Sequence, residues 1–201
     1  YQGVTHRGSL NGKDFITNEF FRGIVAFEEH LGPVFVQVSD TFSPKRKTEL
    51  FSYLASLPKN LQFFLEVRHP DWFAKEKERE DMFSFLSEHN MGTVITDTAG
   101  RRDCAHMRLT IPKTFIRYVG NSLHPTDYTR TDVWAERMKY WLNNGLEELY
   151  FFMHMHDEAT SPELTVYLVD KMNAECGLNL VKPKFSDTTS LPKTKQKRLF
   201  D

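Results

Sequence analysis

The chain has 201 residues, of which 26 are Lys or Arg and 27 are Asp or Glu, so its formal net charge is −1. This balance gives no electrostatic reason to expect a dedicated nucleic-acid or membrane-surface binder, and the sequence holds no apolar run long enough to span a bilayer as a helix. Two cysteines without CxxC spacing exclude a disulfide framework and favour a reducing, cytoplasmic environment.

Five short apolar runs predict buried β-strands. Each run is rich in β-branched or aromatic residues and is bounded by Gly, Pro, Asn or Asp, which is typical of strands in a parallel sheet. The predicted strands cover residues 34–38, 63–67, 93–96, 115–119 and 149–153. Because their starts are separated by roughly 30 residues, one helix fits after each strand, and the chain reads as repeated β–α units with right-handed crossovers.

Helix start and stop signals lie between these runs. The predicted helices begin at Asn18, Ser43-Pro44, Asp71 or Trp72, Thr131 and Ser161-Pro162, and they end near Gly32, Pro58, Gly92, Gly145 and Gly177. A polar N-cap side chain satisfies free backbone donors, and a glycine after the last turn adopts the left-handed conformation that other residues resist. We interpret residues 1–17 as a loop, residues 1–182 as one domain and residues 183–201 as a flexible polar tail.

Alternating units fit either an open doubly wound sheet or a (β/α)8 barrel, and two observations favour the barrel. No strand is followed by a GxGxxG or GxxxxGK[ST] motif, and polar residues at alternate strand positions need partners that a barrel interior can bring together. The predicted fold class is therefore α/β, a TIM-like barrel with parallel strands. Since only its last five strand–helix units are visible, we expect roughly 70–80 residues to precede Tyr1, or another chain to complete the barrel.

Several segments resemble the domain-of-unknown-function 72 (YecE-like) family. The most specific is 65–73, Leu-Glu-Val-Arg-His-Pro-Asp-Trp-Phe, which is similar to the family signature vEfRHpsWf. Further similar segments occur in the family's order at 4–6, 31–37, 96–97, 115–120 and 150–162. The resemblance implies a TIM-like barrel without an established activity, of which this chain would hold the fourth to eighth strands. Val119 stands where the family commonly has His.

Polar side chains at the carboxyl ends of the predicted strands form the candidate site. By strand parity, Glu66 and Arg68 share the face that points away from the helices, and Arg117 lies inward on the next strand but one. Active sites of such barrels lie at these strand ends. We predict general acid/base roles for Glu66, Asp97 and His154, and the predicted substrate contacts are Gln37, Arg68, His69, Trp72, Arg117 and His156.

The sequence leaves an alternative for each of these roles. Glu66 could brace the fold through a buried ion pair, and the two arginines could be consumed by carboxylates instead of holding a phosphate. Asp97 could cap a loop, and Trp72 could pack as a hydrophobic lid. His154 and His156 have the spacing of a divalent-metal pair, with Glu66 and Asp97 completing the shell, although we assign no residue to a metal.

The leading hypothesis for function is an enzyme that acts on a small anionic substrate, phosphorylated or carboxylated, by general acid/base chemistry. The alternatives are a metal-assisted hydrolase or isomerase in the same pocket and a non-catalytic barrel that binds a ligand or a partner. The sequence identifies no cofactor, and it favours neither a membrane nor a nucleic acid as partner.

Overall fold

The computed structural model describes residues 2–6, 10, 15–98 and 101–185. Its centre is a five-stranded parallel sheet in which the strands lie side by side in chain order. The strands are β1 (Val34–Gln37), β2 (Phe63–Glu66), β3 (Gly92–Asp97), β4 (Lys113–Val119) and β5 (Glu148–His154). All five predicted strands are therefore confirmed, with ends that differ by one or two residues.

Helices connect the strands. They are α1 (Gln2–Thr5), α2 (Phe15–Val25), α3 (Lys47–Ala55), α4 (Asp71–Ala74), α5 (Glu76–Glu88), α6 (Pro125–Asn143) and α7 (Ser161–Cys176). Short 3-10 turns occupy Glu28–His30, Pro44–Arg46 and Glu158–Thr160. Within the described ranges, none of these helices combines the length and the apolar character needed to cross a bilayer.

Two predicted helix starts are wrong. The helix expected to begin at Asn18 starts earlier, at Phe15, so part of the predicted N-terminal loop is helical, and it ends at Val25 before the 3-10 turn. The helix expected to begin at Thr131 starts at Pro125, where the ring of His124 accepts a hydrogen bond from the backbone of Thr126. A proline in the first turn is itself a start signal, so the sequence contained the correct boundary.

The second predicted helix opens differently, the third begins at Asp71 as predicted but is interrupted, and the last ends as predicted. Pro44 opens a 3-10 turn that leads into α3, and Ser43 makes no capping hydrogen bond. The third predicted helix is interrupted at Lys75, whose extended backbone separates α4 from α5. Gly177 ends α7 with a φ of 65°, the left-handed conformation expected of a glycine after the last turn.

The helices cover one face of the sheet. Phe63 and Leu65 of β2 share an apolar cluster with side chains of α3 and α5, and Ile116 and Tyr118 of β4 share a second cluster with α6 and α7. Because strand side chains alternate between faces, the remaining strand residues point away from these helices. We call this the open face; it carries Phe35, Gln37, Phe64, Glu66, Val94, Thr96, Phe115, Arg117, Tyr150, Phe152 and His154.

The open face changes from aromatic to polar along the strands. Phe115 stacks on Phe152 with ring centroids 4.6 Å apart and contacts Phe64 at 5.6 Å and Phe35 at 5.4 Å. Nearer the carboxyl ends of the strands, the open face carries the polar side chains of Gln37, Glu66, Thr96 and Arg117. The described part of the molecule therefore concentrates its open-face polar chemistry at the edge where the strands end.

The loop between β3 and β4 packs back onto β3 and covers most of the His106 ring. The backbone N–H of Thr96 donates to the carbonyl of Cys104, and the hydroxyl of Thr93 donates to the carbonyl of Arg108. The His106 ring lies 5.5 Å from that of Phe73 and 5.1 Å from that of Phe83. Burial disfavours the charged imidazole and lowers the pKa of His106 to about 4.

His106 is expected to make the protein less stable in acid. In the unfolded chain this residue titrates near its ordinary pKa of 6.5. Between pH 6.5 and about 4 the unfolded state therefore binds more protons than the folded state. The free energy of unfolding should therefore fall by up to about 3 kcal/mol as the pH is lowered through this window. Urea unfolding of His106→Phe should lose this part of the pH dependence. The control His30→Gln, at an 81% exposed side chain, should keep it; an unchanged profile for His106→Phe would contradict the assignment.

Candidate functional site

Glu66 is the buried centre of a polar cluster on the open face. Its side chain is 2% exposed, and its Oε2 accepts hydrogen bonds from Nε2 of Gln37 at 2.8 Å and from Nη1 of Arg117 at 2.6 Å. Its Oε1 accepts from Nε of Arg68 at 3.1 Å and from the hydroxyl of Thr96 at 3.3 Å. The donors come from β1, β3, β4 and the loop after β2, so one carboxylate joins four successive segments of the sheet.

The charge state of Glu66 follows from these contacts. Burial alone would raise the pKa of Glu66, but the hydrogen bond from Gln37, the charge and hydrogen bond of Arg117 and the charge of Arg68 outweigh burial and hold the pKa below its usual value. An ionised carboxylate whose two oxygens are both occupied is poorly suited to carry a proton. In this geometry Glu66 fixes the positions of Arg68 and Arg117.

Asp97 lies on the opposite face of the sheet, toward α6. It is 3% exposed, and its carboxylate accepts a hydrogen bond from Nε1 of Trp134 at 2.8 Å. Arg130 of α6 approaches it to 3.0 Å and Arg102 to 3.1 Å. The structure therefore does not bring Asp97 and Glu66 together in one site, because consecutive positions in β3 point to different faces.

The two arginines bound to Asp97 differ in their remaining hydrogen-bonding capacity. Arg130 donates to the side chain and carbonyl of Asp97 and to the carbonyl of Val119, and its guanidinium lies 4.3 Å from the centre of the Tyr118 ring. Arg102 donates to Asp97 through Nη1 alone, and its side chain is 72% exposed. Among the described residues nothing bonds to its Nε or Nη2, so Arg102 is anchored and still has donors for a ligand.

A pocket of about 610 Å³ lies at the carboxyl ends of β3, β4 and β5, and we call it the mouth pocket. Its lining residues are Thr98, Arg102, Val119, Gly120, Asn121, Thr126, Arg130 and His156. The lining contributes two guanidiniums and an imidazole, and none of these eight residues is acidic. Asp97 lies outside the lining but pairs with both arginines, so the groups that a ligand would meet here are cationic or uncharged donors.

A second pocket of about 280 Å³ lies at the ends of β2 and β3, and we call it the side pocket. Its lining residues are Asp40, Glu66, Val67, Arg68, Thr96, Thr98, Arg101 and Cys104. Two acidic and two basic side chains balance in charge here, unlike in the mouth pocket. Thr98 lines both pockets, so the two cavities adjoin at the end of β3.

The structure places the two predicted histidines of the last strand apart. His156 lines the mouth pocket. His154 ends β5 on the open face, 42% exposed, with Nδ1 at 3.2 Å from the carboxylate of Glu158. The described part of the chain contains no group of three or more His, Cys, Asp or Glu side chains that could hold a metal ion, so Glu66 and Asp97 do not complete a shell around these histidines.

Trp72 and His69 lie outside both pockets. The Trp72 side chain is fully buried, and its Nε1 donates to the carbonyl of Phe42 at 2.9 Å, so its ring offers no surface to a ligand. Nδ1 of His69 accepts a hydrogen bond from the backbone of Asp71 at 3.1 Å and thereby stabilises the start of α4. This geometry gives both residues a role in the local fold. Substrate contact by His69 stays a prediction, and the burial of Trp72 does not favour such a contact.

Sequence reasoning missed Arg102, Arg130 and Thr98 as pocket residues. The pair Arg101-Arg102 is ordinarily interpreted as solvated, and Arg130 stands in a helix with no local sign of a distant partner. One signal was available: Asp97 at the end of a buried strand needs a cationic or donor partner. That requirement indicates that basic residues lie nearby without identifying which ones.

These features define a parallel α/β protein whose strands follow chain order, whose helices cover one face of the sheet, and whose polar pockets lie at the carboxyl ends of the strands. The sequence model of the DUF72 family, described as "Protein of unknown function DUF72", matches residues 1–188. The chain therefore belongs to the DUF72 family, as its sequence motifs had indicated.

Relatives and solved structures agree with this assignment. The UPF0759 proteins YecE of Escherichia coli K12 and O157:H7 are each 27% identical to the chain over 179 residues, covering 80% of the chain and 65% of the relative. The chain thus spans slightly less than two thirds of the length of these relatives. Two crystal structures of a DUF72 family protein from Enterococcus faecalis V583 match with TM-scores of 0.64 and 0.63 at 16% and 15% identity. The matched regions cover 89% and 93% of this chain and 76% of each of the two crystallised chains.

Proposed function

We propose that the chain binds a small anionic molecule, phosphorylated or carboxylated, in the mouth pocket. The observation that carries this proposal is the charge of the lining: Arg102, Arg130 and His156 face a cavity of about 610 Å³ that no acidic residue lines. Asp97 fixes Arg102 through Nη1, which leaves the Nε–Nη2 edge of the guanidinium for the ligand. That edge matches the two oxygens of a carboxylate or phosphate.

Uncharged donors in the mouth pocket support the same proposal. The side chains of Thr98 and Asn121 have no hydrogen-bond partner among the described residues, and both line the cavity. A hydroxyl and an amide can donate to the remaining oxygens of a tetrahedral anion. Small-molecule sites commonly combine a cavity of this size with a few convergent polar groups.

The proposed scaffold is a TIM-like barrel, with residues 1–182 belonging to one domain. Strands in chain order and helices on a single face support it, because a doubly wound sheet carries helices on both faces. In such a barrel the open face is the interior, and the mouth pocket lies at the end where barrel enzymes bind substrate. Closing the barrel requires strands beyond the five described ones, supplied by another part of the protein or by another chain.

A second candidate function is acid/base catalysis on the bound anion. The position of His156 in the mouth pocket favours it, because imidazole is the side chain best suited to exchange protons near neutral pH. In this version Glu66 and Asp97 position arginines, and the histidine moves the proton. Conversion of a bound phosphate ester, followed by phosphorus NMR and abolished in His156→Gln while binding persists, would separate an enzyme from a binding protein.

The binding proposal predicts a selective loss in Arg102→Gln. Removing a guanidinium that donates to an anion should weaken binding by at least about tenfold, while the free energy of unfolding should change little because the side chain is 72% exposed. The measurement is calorimetric titration with inorganic phosphate and with malonate. The matched control is Arg22→Gln, at a 79% exposed arginine on α2, which should bind as the parent protein does. Parent protein that binds neither anion, or Arg102→Gln that binds equally well, would refute the proposal.

A further inference from the structure

We infer that the anionic ligand is a phosphorylated polyol or sugar, with its phosphate in the mouth pocket and its hydroxyl groups in the side pocket. This inference rests on the proposed function and deepens it, because it adds a recognition site for the uncharged part of the same molecule. It depends on three features: the contact between the two pockets, their different charges, and the side-pocket groups that keep free hydrogen-bonding capacity.

The two pockets are neighbours at the end of β3. Thr98, the first residue after β3, lines both of them. Adjacent parallel strands lie only about 4.8 Å apart, so a ligand held at Arg102 after β3 is close to the groups that follow β2. The side pocket, of about 280 Å³, has room for a short chain or a ring attached to the anion.

The side pocket does not suit a second anion. Its two arginines face two carboxylates, Asp40 and Glu66, and Arg101 is further engaged by Asp103 at 3.2 Å and by the carbonyl of Arg68 at 2.6 Å. An additional negative group would meet the exposed carboxylate of Asp40 without a net positive charge to offset it. The mouth pocket, which no acid lines, is therefore the place for the charged group.

The groups left free in the side pocket are one acceptor and several donors. Glu66 is occupied by its four donors, but no described residue bonds to the carboxylate of Asp40 or to Nη1 and Nη2 of Arg68. Thr98 adds a hydroxyl. A ligand hydroxyl both donates and accepts, so it can satisfy Asp40 and Arg68 together. An apolar group would leave both of them desolvated without partners.

The test compares two ligands that differ only in hydroxyl groups. Glycerol 3-phosphate and propyl phosphate carry the same phosphate on the same three-carbon chain, and calorimetric titration gives the affinity of each. The parent protein should bind glycerol 3-phosphate at least about tenfold more tightly, since a site built to bond hydroxyls discriminates against an analogue that lacks them. Asp40→Ala should reduce this ratio to about threefold or less without weakening propyl phosphate.

The variants separate the two pockets. Arg102→Gln should weaken both ligands and leave their affinity ratio intact, because it acts on the shared phosphate. Asp170→Ala, at a 53% exposed aspartate on α7, is the matched control for Asp40→Ala and should change neither affinity. Retention of the full ratio in Asp40→Ala would overturn the assignment of hydroxyl recognition to the side pocket.

Three further outcomes distinguish this inference from the proposal beneath it. Equal affinities for glycerol 3-phosphate and propyl phosphate, with inorganic phosphate bound, would overturn the inference and leave anion binding in place. Tighter binding of 2-aminoethyl phosphate than of glycerol 3-phosphate would overturn it in favour of an amine at Asp40. Failure of every phosphate and of malonate to bind would refute the proposed function, and the inference with it.

Discussion

Replacement of Trp72 with alanine is expected to lower the free energy of unfolding by about 3–5 kcal/mol. Trp72 is fully buried in α4, and its Nε1 donates to the carbonyl of Phe42 at 2.9 Å. Truncation would remove a large apolar side chain from the cluster between the helices and the sheet, and it would leave that carbonyl without its donor. Urea unfolding at neutral pH measures the loss.

Two variants make this prediction specific. Trp72→Phe keeps an aromatic ring but removes the N–H donor, so it should cost about 1–3 kcal/mol and remain folded. Tyr140→Ala removes a 58% exposed aromatic ring from α6 and should change stability by no more than about 0.5 kcal/mol. Because Trp72 lies outside both pockets, folded Trp72→Phe should bind phosphate normally; a selective loss of binding would contradict its purely structural role.

Replacement of Glu66 with glutamine is expected to cost about 3 kcal/mol, although it preserves the shape of the side chain. The amide carries no charge to balance Arg68 and Arg117, and its NH2 group would face donors where an oxygen now accepts. The control Glu80→Gln removes a 43% exposed carboxylate that pairs with Arg79 and should cost less than about 1 kcal/mol. Equal unfolding midpoints for the two variants would contradict the bracing role.

The pH dependence of Glu66→Gln provides a second measurement. The pKa of Glu66 is lowered in the folded protein, so its contribution to stability is fully present above its ordinary pKa of 4.5. That contribution is lost as the pH falls through the lower folded value. Below pH 4.5 the parent protein should therefore lose stability more steeply than Glu66→Gln does, and parallel profiles would contradict the assigned direction.

The sheet could be predicted from the sequence because its signals are local. The run Phe63–Glu66 is short, apolar and bounded by turn residues, and parity alone placed Glu66 and Arg117 on the face away from the helices. Helix boundaries depend on weaker competing signals. Two residues could mark the start of α6, Pro125 and Thr131. The helix begins at Pro125, and the polar Thr131 is buried inside it.

The candidate site could be predicted only in part because its contacts are long-range. The ion pairs of Glu66 with Arg68 and Arg117 were open as an alternative, because a buried charge needs partners. The contact between Gln37 and Glu66 was not predicted. Two partners of Asp97, Arg130 and Trp134, come from a separate helix, and Trp134 is 37 positions further along the chain. Trp72 shows a second reason why the site could be predicted only in part. The sequence motif contains Trp72, but whether the side chain is exposed depends on Phe42 and the other residues packed around it.

The contact between Asp97 and Arg102 has a consequence for the entropy of binding. A free surface arginine loses rotamer freedom when it grips a ligand, at about 0.5–1.5 kcal/mol for each side chain immobilised. Asp97 restrains Arg102 before any ligand arrives, and Trp134 in turn holds Asp97 from the hydrophobic layer beneath α6. A mutational scan scored by ligand affinity would therefore identify Trp134, a 4% exposed residue that does not line the mouth pocket.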